Sequence, residues 1–387
     1  MNFFKQKKNK IPFGKPLINK KEIISVNKVL KSGIYAHGPT LTKFEKEFSD
    51  FTKSPFSSSV SSCTAGMHLF YFSMGIGKGD EVIVPAQTHT ATAHAVELSG
   101  AKPIFVDCNL YDGNINTSLL EKKITKKTKA ICVVHFLGVP AEMNVIKRIA
   151  NKFKLFLIED CALSLGATYN GKHTGLFGDA GVFSFYPAKH ITTGEGGMFI
   201  TKNKKIQKKI KISKSLGINK NFMERKTPGF YDALNLGFNY RMNEIQASIG
   251  IEQLKKIKFF LSKRKKNFLL LKKLLSKNKD ILILDSKQKK IKSSHYCMNI
   301  VLPEFLLKKR KKIIKDLNNK KIGTSIYYPQ PVPRMSYYKN KYGYNQNQFK
   351  NSEIISDRSI SLPVGPHLTN KDIKYIAITT LKVIEES

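Results

Sequence analysis

The chain has 387 residues, 41% of them hydrophobic, and carries 67 Lys and Arg against 28 Asp and Glu, a formal charge of +39. Its length allows one large domain plus a smaller one, each with its own core, and no apolar run approaches the ~20 residues a membrane helix needs. A charge of this sign suits nucleic acid or an anionic membrane, but the excess is lysine spread along the chain with no recognisable nucleic-acid module, so it reads as a solvated surface.

In chain order, residues 1–10 have charge but no long apolar core, unlike a signal peptide, and 5–10 read as a disordered tail. Helical patterning follows over 20–30 and 41–51, with the turn Gly38-Pro39 between. From about residue 55 to 201, short β-branched runs alternate with helical or loop segments. The expected strands are 57–60, 81–84, 103–106, 130–134, 155–159, 181–185 and 197–201. Most are continuous apolar runs, as strands covered on both faces should be. The earlier connections are long enough for crossover helices, which predicts a mainly parallel α/β sheet.

Beyond it, 243–257 reads as a helix with Ile245, Ile249, Leu254 and Ile257 on one face. A Lys-rich stretch over 255–291 begins the transition to a second domain. There the pattern is α+β: a strand at 296–302, an amphipathic helix around 306–317, a Pro-rich loop at 329–333 and a final helix around 370–384. The expected organisation is therefore α/β, with a large domain over 1–254 and a smaller C-terminal α+β domain over 255–387. Five scattered cysteines form no Cys-x-x-Cys pair. Neither a disulfide framework nor a structural zinc site is indicated, and a reducing cytoplasm fits best.

Polar residues gather at or just past the strand ends, where ligands bind in open α/β sheets. Ser62-Cys63-Thr64-Ala65-Gly66 opens a helix after the first strand, and free N–H groups there suit an anion, although Ser and Thr are also ordinary N-caps. His89 lies past the second strand, where its flat ring suits stacking on an aromatic cofactor or a structural hydrogen bond. Asp160 follows the 155–159 strand, placed either to hold a ring nitrogen protonated or to cap a turn. Ser184 lies near the end of the 181–185 strand. Lys189 comes just past it, where an amine can capture a carbonyl cofactor as a Schiff base. Phosphate cradle, ring platform, ring-nitrogen partner and lysine make the set that pyridoxal phosphate requires.

The ordered motifs Gly38-Pro39, 62–68, 79–85, 100–107, 134–138, 158–160, 183–189, 194–197, 239–242 and Leu362-Pro363 resemble the DegT/StrS group of sugar aminotransferases over nearly the whole chain. That resemblance implies fold-type I enzymes with pyridoxal 5′-phosphate as cofactor. It implies that Lys189 carries the Schiff base and Asp160 pairs with the pyridinium. His89 would stack on the ring and Thr64, Ala65 and Ser184 would bind the phosphate. Asn239 would reach the cofactor of a neighbouring subunit, which calls for a homodimer. Two positions depart from the family pattern. Leu163 stands where many members have Gln or His, and His190 where many have Asn, leaving His190 as a substrate-side acid or base or a packed neighbour. Tyr35, Tyr186, His190, Tyr327, Tyr328 and His367 are candidate wall residues.

The activity implied is transfer of an amino group from an amino acid, usually glutamate in this family, to a keto group of a nucleotide-linked deoxy sugar. Such products serve surface polysaccharide or glycoconjugate synthesis. The implied enzyme is cytoplasmic, with no nucleic-acid or membrane partner and no metal. The sugar dehydratases of the group have His in place of the lysine, and Lys189 argues against that class. A regulatory or non-transaminating relative that keeps the cofactor is the alternative.

Overall fold

The computed structural model describes residues 9–220, 227–286 and 288–387, so residues 5–8 of the expected tail lie outside it. Two helices open the chain. α1 (Lys20–Ser32) begins with a capping box made by Asn19 and Glu22. α2 (Pro39–Thr52) lacks a side-chain cap of its own. The buried Glu244 carboxylate instead accepts from the Gly38, Thr40 and Leu41 N–H groups at 2.9, 2.8 and 3.2 Å. A carboxylate at a helix start is favoured by its free N–H groups and dipole.

The strands β1 (Phe56–Val60), β2 (Glu81–Pro85), β3 (Lys102–Val106), β4 (Thr128–Val134) and β5 (Phe156–Asp160) come next. The two-residue strands β6 (Thr168–Tyr169) and β7 (Lys172–His173) precede β8 (Ala180–Ser184) and β9 (Gly197–Thr201). The seven longer strands form one sheet in the order β1-β9-β8-β5-β4-β2-β3. Neighbours among β2, β3, β4, β5 and β8 pair in parallel, whereas β9 runs antiparallel to both β1 and β8. The sheet is thus mainly parallel, and the C-terminal ends of all its strands except β9 share one edge.

The helices α3 (Cys63–Ser73), α4 (Thr90–Leu98), α5 (Met143–Lys152) and α6 (Lys204–Ser213) follow β1, β2, β4 and β9. One face of the sheet packs Met67, Phe70, Val82, Val182 and Phe199 into a cluster. The other buries Phe183, Met198 and Ile200 against Phe44 and Phe48 of α2. These apolar strands, covered on both faces, are the reason the strand positions were readable from local sequence.

The single helix expected over 243–257 is two: α7 (Glu244–Lys255) and α8 (Ile257–Leu275). The buried face of α7 also differs from the expected one. Ala247, Gly250, Ile251 and Leu254 are buried, while Ile245 and Ile249 are half-buried. α7 packs between α1 and α2, and close approach selects small residues. A Cβ at Gly250 would lie 2.5 Å from the Phe44 ring.

The strands β10 (Leu282–Ile283), β11 (Ile291–Lys292) and β12 (Met298–Val301) are followed by α9 (Arg310–Asn319), α10 (Ser336–Tyr342), α11 (Lys350–Arg358), β13 (Ser359–Leu362) and α12 (Asn370–Glu385). β10, β12 and β13 form an antiparallel sheet. Its core joins Met298, Ile300 and Ile360 to Leu271, Ile313 and Ile376 from the helices around it. Two segments cross between the cores. Ile11 bridges to Ile322 and packs in the small-sheet core, and Val332, Tyr338 and Phe349 pack in the cluster of the large sheet. The short helices α10 and α11 had no sequence expectation, because their periodicity is only two turns long.

Candidate active site

Lys189 stands in a loop folded back on the end of β8. Its N–H donates to the Tyr186 carbonyl at 2.9 Å. The loop is pinned to Phe185, whose N–H donates to the Gly196 carbonyl and whose carbonyl accepts from the Thr193 N–H (2.9 and 3.0 Å). Among the described residues the Lys189 amine has no hydrogen bond or ion pair, and its Nζ lies 5.6 Å from the centre of the Tyr296 ring. Burial lowers its pKa, and the charge of Asp160 acts in the opposite direction. Desolvation disfavours an ammonium, so the site shifts the amine toward its neutral, nucleophilic form.

Asp160 is the last residue of β5 and is 5% exposed. Its Oδ2 accepts from the Thr92 hydroxyl at 2.7 Å, and its Oδ1 accepts from the Ala162 N–H at 3.0 Å. The Cys63 thiol lies 3.7 Å from Oδ1. Burial first, and the Asp160 charge second, push that thiol well up. A carboxylate offers about four lone-pair positions, so these contacts orient Asp160 and leave capacity for another cationic donor.

The neighbouring glutamate serves a different purpose. Glu159, on the opposite side of β5, is fully buried and accepts from the Gly175, Phe177 and Gly178 N–H groups at 2.7, 2.7 and 2.8 Å. His135 Nε2 lies 3.0 Å from the same carboxylate. Cys161 is close by, but Glu159 is already saturated and His135 Nδ1 accepts from Ala141 N–H. The cluster is a hydrogen-bond anchor for the loops beneath the site.

The other expected residues fall at the same sheet edge with two exceptions. Ser62 caps α3 by accepting from the Ala65 N–H at 3.0 Å, so the Ala65 N–H is already engaged. The Thr64 hydroxyl has no hydrogen-bond partner among the described residues. Ser184 pairs in register with Gly197, and a Cβ at Gly197 would meet Ser62 and Cys63 backbone at 2.6 and 2.8 Å. That close approach brings the end of β8 beside the start of α3. His89 caps α4 through Nδ1, which accepts from the Ala91 N–H at 3.1 Å. Burial, then the Lys189 charge, lower its pKa, which leaves a neutral ring with its proton on Nε2.

Tyr327 reaches the site because Gln87, after β2, donates to its carbonyl at 3.1 Å. Its hydroxyl meets that of Tyr296 at 2.6 Å. Tyr186 is 50% exposed on the Lys189 loop. Buried Tyr328 packs edge-on to His89 with ring centres 5.5 Å apart. His190 is 4% exposed and its Nε2 lies 3.2 Å from the Ser294 carbonyl; it is packed against the 294–296 segment. Leu163 is buried in a cluster with Tyr296. His367 bonds the Pro12 carbonyl at 3.0 Å.

The two exceptions are Tyr35 and Asn239. Tyr35 is exposed and bonds the Leu30 carbonyl. Asn239 is exposed on a loop held by Phe238 N–H to Ser213 carbonyl and Tyr240 N–H to Lys214 carbonyl bonds. Among the described residues, no contact brings either to Lys189. Three residues near the amine or carboxylate escaped sequence reading: Thr92, Cys63 and Tyr296. Thr92, one turn into the helix that His89 caps, was the detectable one.

A half-buried amine, unpaired among the described residues, an oriented carboxylate, an imidazole ring and the open Thr64 hydroxyl at a helix start suit pyridoxal 5′-phosphate. Comparison with known proteins agrees. The model of the DegT/DnrJ/EryC1/StrS aminotransferase family matches residues 16–380. The chain is 36% identical to GDP-perosamine synthase of Escherichia coli O157:H7, over 95% of this chain and 96% of that one. It is 32% identical to the UDP-4-amino-4,6-dideoxy-N-acetyl-beta-L-altrosamine transaminase of Campylobacter jejuni, again over 95% and 96%. The PLP form of Spr1654 from Streptococcus pneumoniae superposes with a TM-score of 0.91 at 28% identity, covering 97% of this chain and 99% of that one.

Proposed function

The chain belongs to the DegT/DnrJ/EryC1/StrS aminotransferase family, and we propose that it moves an amino group from glutamate to a keto group of a nucleotide-linked deoxy sugar. It is a sugar aminotransferase that uses pyridoxal 5′-phosphate. The observation carrying the reading is the half-buried Lys189 amine, unpaired among the described residues and in the field of the Asp160 carboxylate. The names of the GDP- and UDP-sugar relatives support a nucleotide sugar as acceptor.

When bound, the coenzyme supplies a carbonyl that takes up the amino group and a ring that spreads carbanion charge. Lys189 is the residue to bond it. Asp160, oriented by Thr92 and Ala162, would pair with the ring nitrogen, its charge favouring the cationic form. His89 would supply a ring platform, and Thr64 and Ser184 would hold the phosphate, the Ala65 N–H being taken up by the Ser62 cap. In the first half-reaction Lys189 Nζ takes the proton from the donor's α-carbon as general base and returns one as general acid. The donor leaves as its keto acid. In the second half-reaction the same amine runs the proton transfers in reverse, and the sugar's keto carbon becomes an amine. Tyr186, Tyr327 and Tyr296 wall the acceptor side.

The working form in this reading is a cytoplasmic homodimer, with Asn239 and Tyr35 entering the neighbouring subunit's site. Exposed apolar residues on the loop that carries Asn239, with Phe230 74% and Leu236 72% exposed, support cover by a second copy. The test is purified protein with glutamate against a panel of UDP-, GDP- and dTDP-linked keto sugars. Formation of one amino sugar identifies the acceptor. No amino sugar, together with no glutamate half-reaction, would refute the proposal.

A further inference from the structure

The segment 293–297 enters the site from far along the chain, and its polar groups are spent on loops of the large sheet. Ser294 is its centre. Its N–H donates to the Gly138 carbonyl at 3.0 Å, and its Oγ donates to the Leu163 carbonyl at 2.9 Å. Its own carbonyl lies 3.2 Å from His190 Nε2. Two residues on, the Tyr296 N–H donates to the Leu137 carbonyl at 3.2 Å. The Tyr296 carbonyl in turn accepts from Arg264 Nη1 at 2.6 Å.

The loops held in this way are the turn after β4, the segment after Asp160 and the segment after Lys189. The fit leaves no slack. Gly138 has φ +85°, and a Cβ there would lie 2.2 Å from Ser294 Oγ and 2.7 Å from the Leu163 carbonyl oxygen. Ser294 and His190 are buried, at 2% and 4% exposure, so each bond they make replaces one that water cannot supply.

We propose that Ser294 is a positioning residue for the reaction, registering Lys189 against Asp160 by holding the loop that follows each. This rests on the functional reading above. The amine and the carboxylate sit on different strands, and Ser294 is a single residue hydrogen-bonded to the segments beyond both. Catalytic groups lose efficiency quickly when displaced by fractions of an ångström, so a hub of this kind sets the rate without touching substrate.

The test uses the full-length chain loaded with pyridoxal phosphate, compared with Ser294→Ala, His190→Leu and His190→Asn. Four quantities are read: coenzyme affinity, the pH midpoint of the visible band, kcat against KM for glutamate, and the thermal midpoint. The titrating centre faces Asp160, Cys63, Glu195, His89, His190 and the Tyr296 ring; Ser294→Ala replaces none of them, so the band midpoint is read against the wild type on that variant, and the two His190 variants are compared with each other. Losing one buried hydrogen bond should lower kcat about ten-fold with the donor KM little changed. The band midpoint should move by about half a pH unit or more. Asn, which keeps a donor, should restore His190→Leu toward the wild type.

A Ser294→Ala enzyme that is less stable but has wild-type kcat and band midpoint makes Ser294 a packing residue and overturns the proposal. Should Ser294→Ala fail to fold, the His190 pair decides. Identical spectra and rates for Leu and Asn overturn it equally. A wild-type chain that takes up no coenzyme removes the functional reading and this inference with it, whereas an unaltered variant of a chain that loads removes this inference alone.

Discussion

Replacing Lys189 by Met separates a catalytic amine from a structural one, because the two roles predict opposite signs. The side chain is half-buried, the amine has no ion pair among the described residues, and desolvation is the largest influence on its pKa. Methionine has nearly the same volume and no charge to desolvate, so folding of the coenzyme-free protein should not weaken. The folded-state pKa is lowered, so the unfolded chain binds the proton more readily and the penalty is fully present below that lowered value. It disappears as pH rises past the ordinary lysine value of about 10.4. Any stability gain of Lys189→Met should therefore be largest at neutral and acid pH and shrink toward pH 10. Turnover should move the other way. Losing the general base alone costs about 10²–10⁴ in rate, or about 2.7–5.5 kcal/mol of transition-state stabilisation at 1.36 kcal/mol per decade. The assay is a single-turnover glutamate half-reaction followed by absorbance, alongside denaturant unfolding of the coenzyme-free protein. A variant that unfolds more easily yet turns over within ten-fold of the wild type would refute the reasoning.

Asp160→Asn keeps an oxygen for the Thr92 hydroxyl but removes the charge. It should still bind coenzyme while losing at least about 100-fold in kcat; a loss of under three-fold in the half-reaction would count against the ring-nitrogen role. Glu159→Gln should lose at least about 1.5–3 kcal/mol, the worth of one charge-assisted hydrogen bond, measured by urea unfolding at pH 7. The folded-state pKa of Glu159 is lowered by its hydrogen bonds, with His135 foremost, against the opposing effect of burial. Its contribution is therefore present above the ordinary glutamate value of about 4.3 and fades as pH falls below it, so the two proteins should converge in acid. Mixing separately inactive Lys189→Met and Asn239→Ala subunits should restore part of the activity through hybrid dimers that hold one intact site. Sedimentation should show the dimer, and no recovery on mixing would argue against a shared site.

The local sequence was enough to locate the strands of the large sheet to within a residue or two, because most are apolar runs closed at a turn and covered on both faces. It also marked Lys189, Asp160 and His89 as candidates, since ligands in a parallel sheet bind at strand ends and those residues stand just there in the chain. Helical faces were less legible. The pattern over 243–257 pointed to Ile245 and Ile249, while packing between two helices buried Ala247 and Gly250 instead, a choice made by distance between helix axes rather than by hydrophobicity. What folding alone decided is which distant residues complete the site. Thr92 comes to Asp160 from α4, and Tyr296 and Ser294 arrive from a segment far along the chain. His190 passed from a chemical candidate to a packed residue only when the Ser294 carbonyl lay beside it. Short-range patterns record what a segment does on its own; hydrogen bonds between distant segments depend on where two cores dock, which no single stretch of chain encodes.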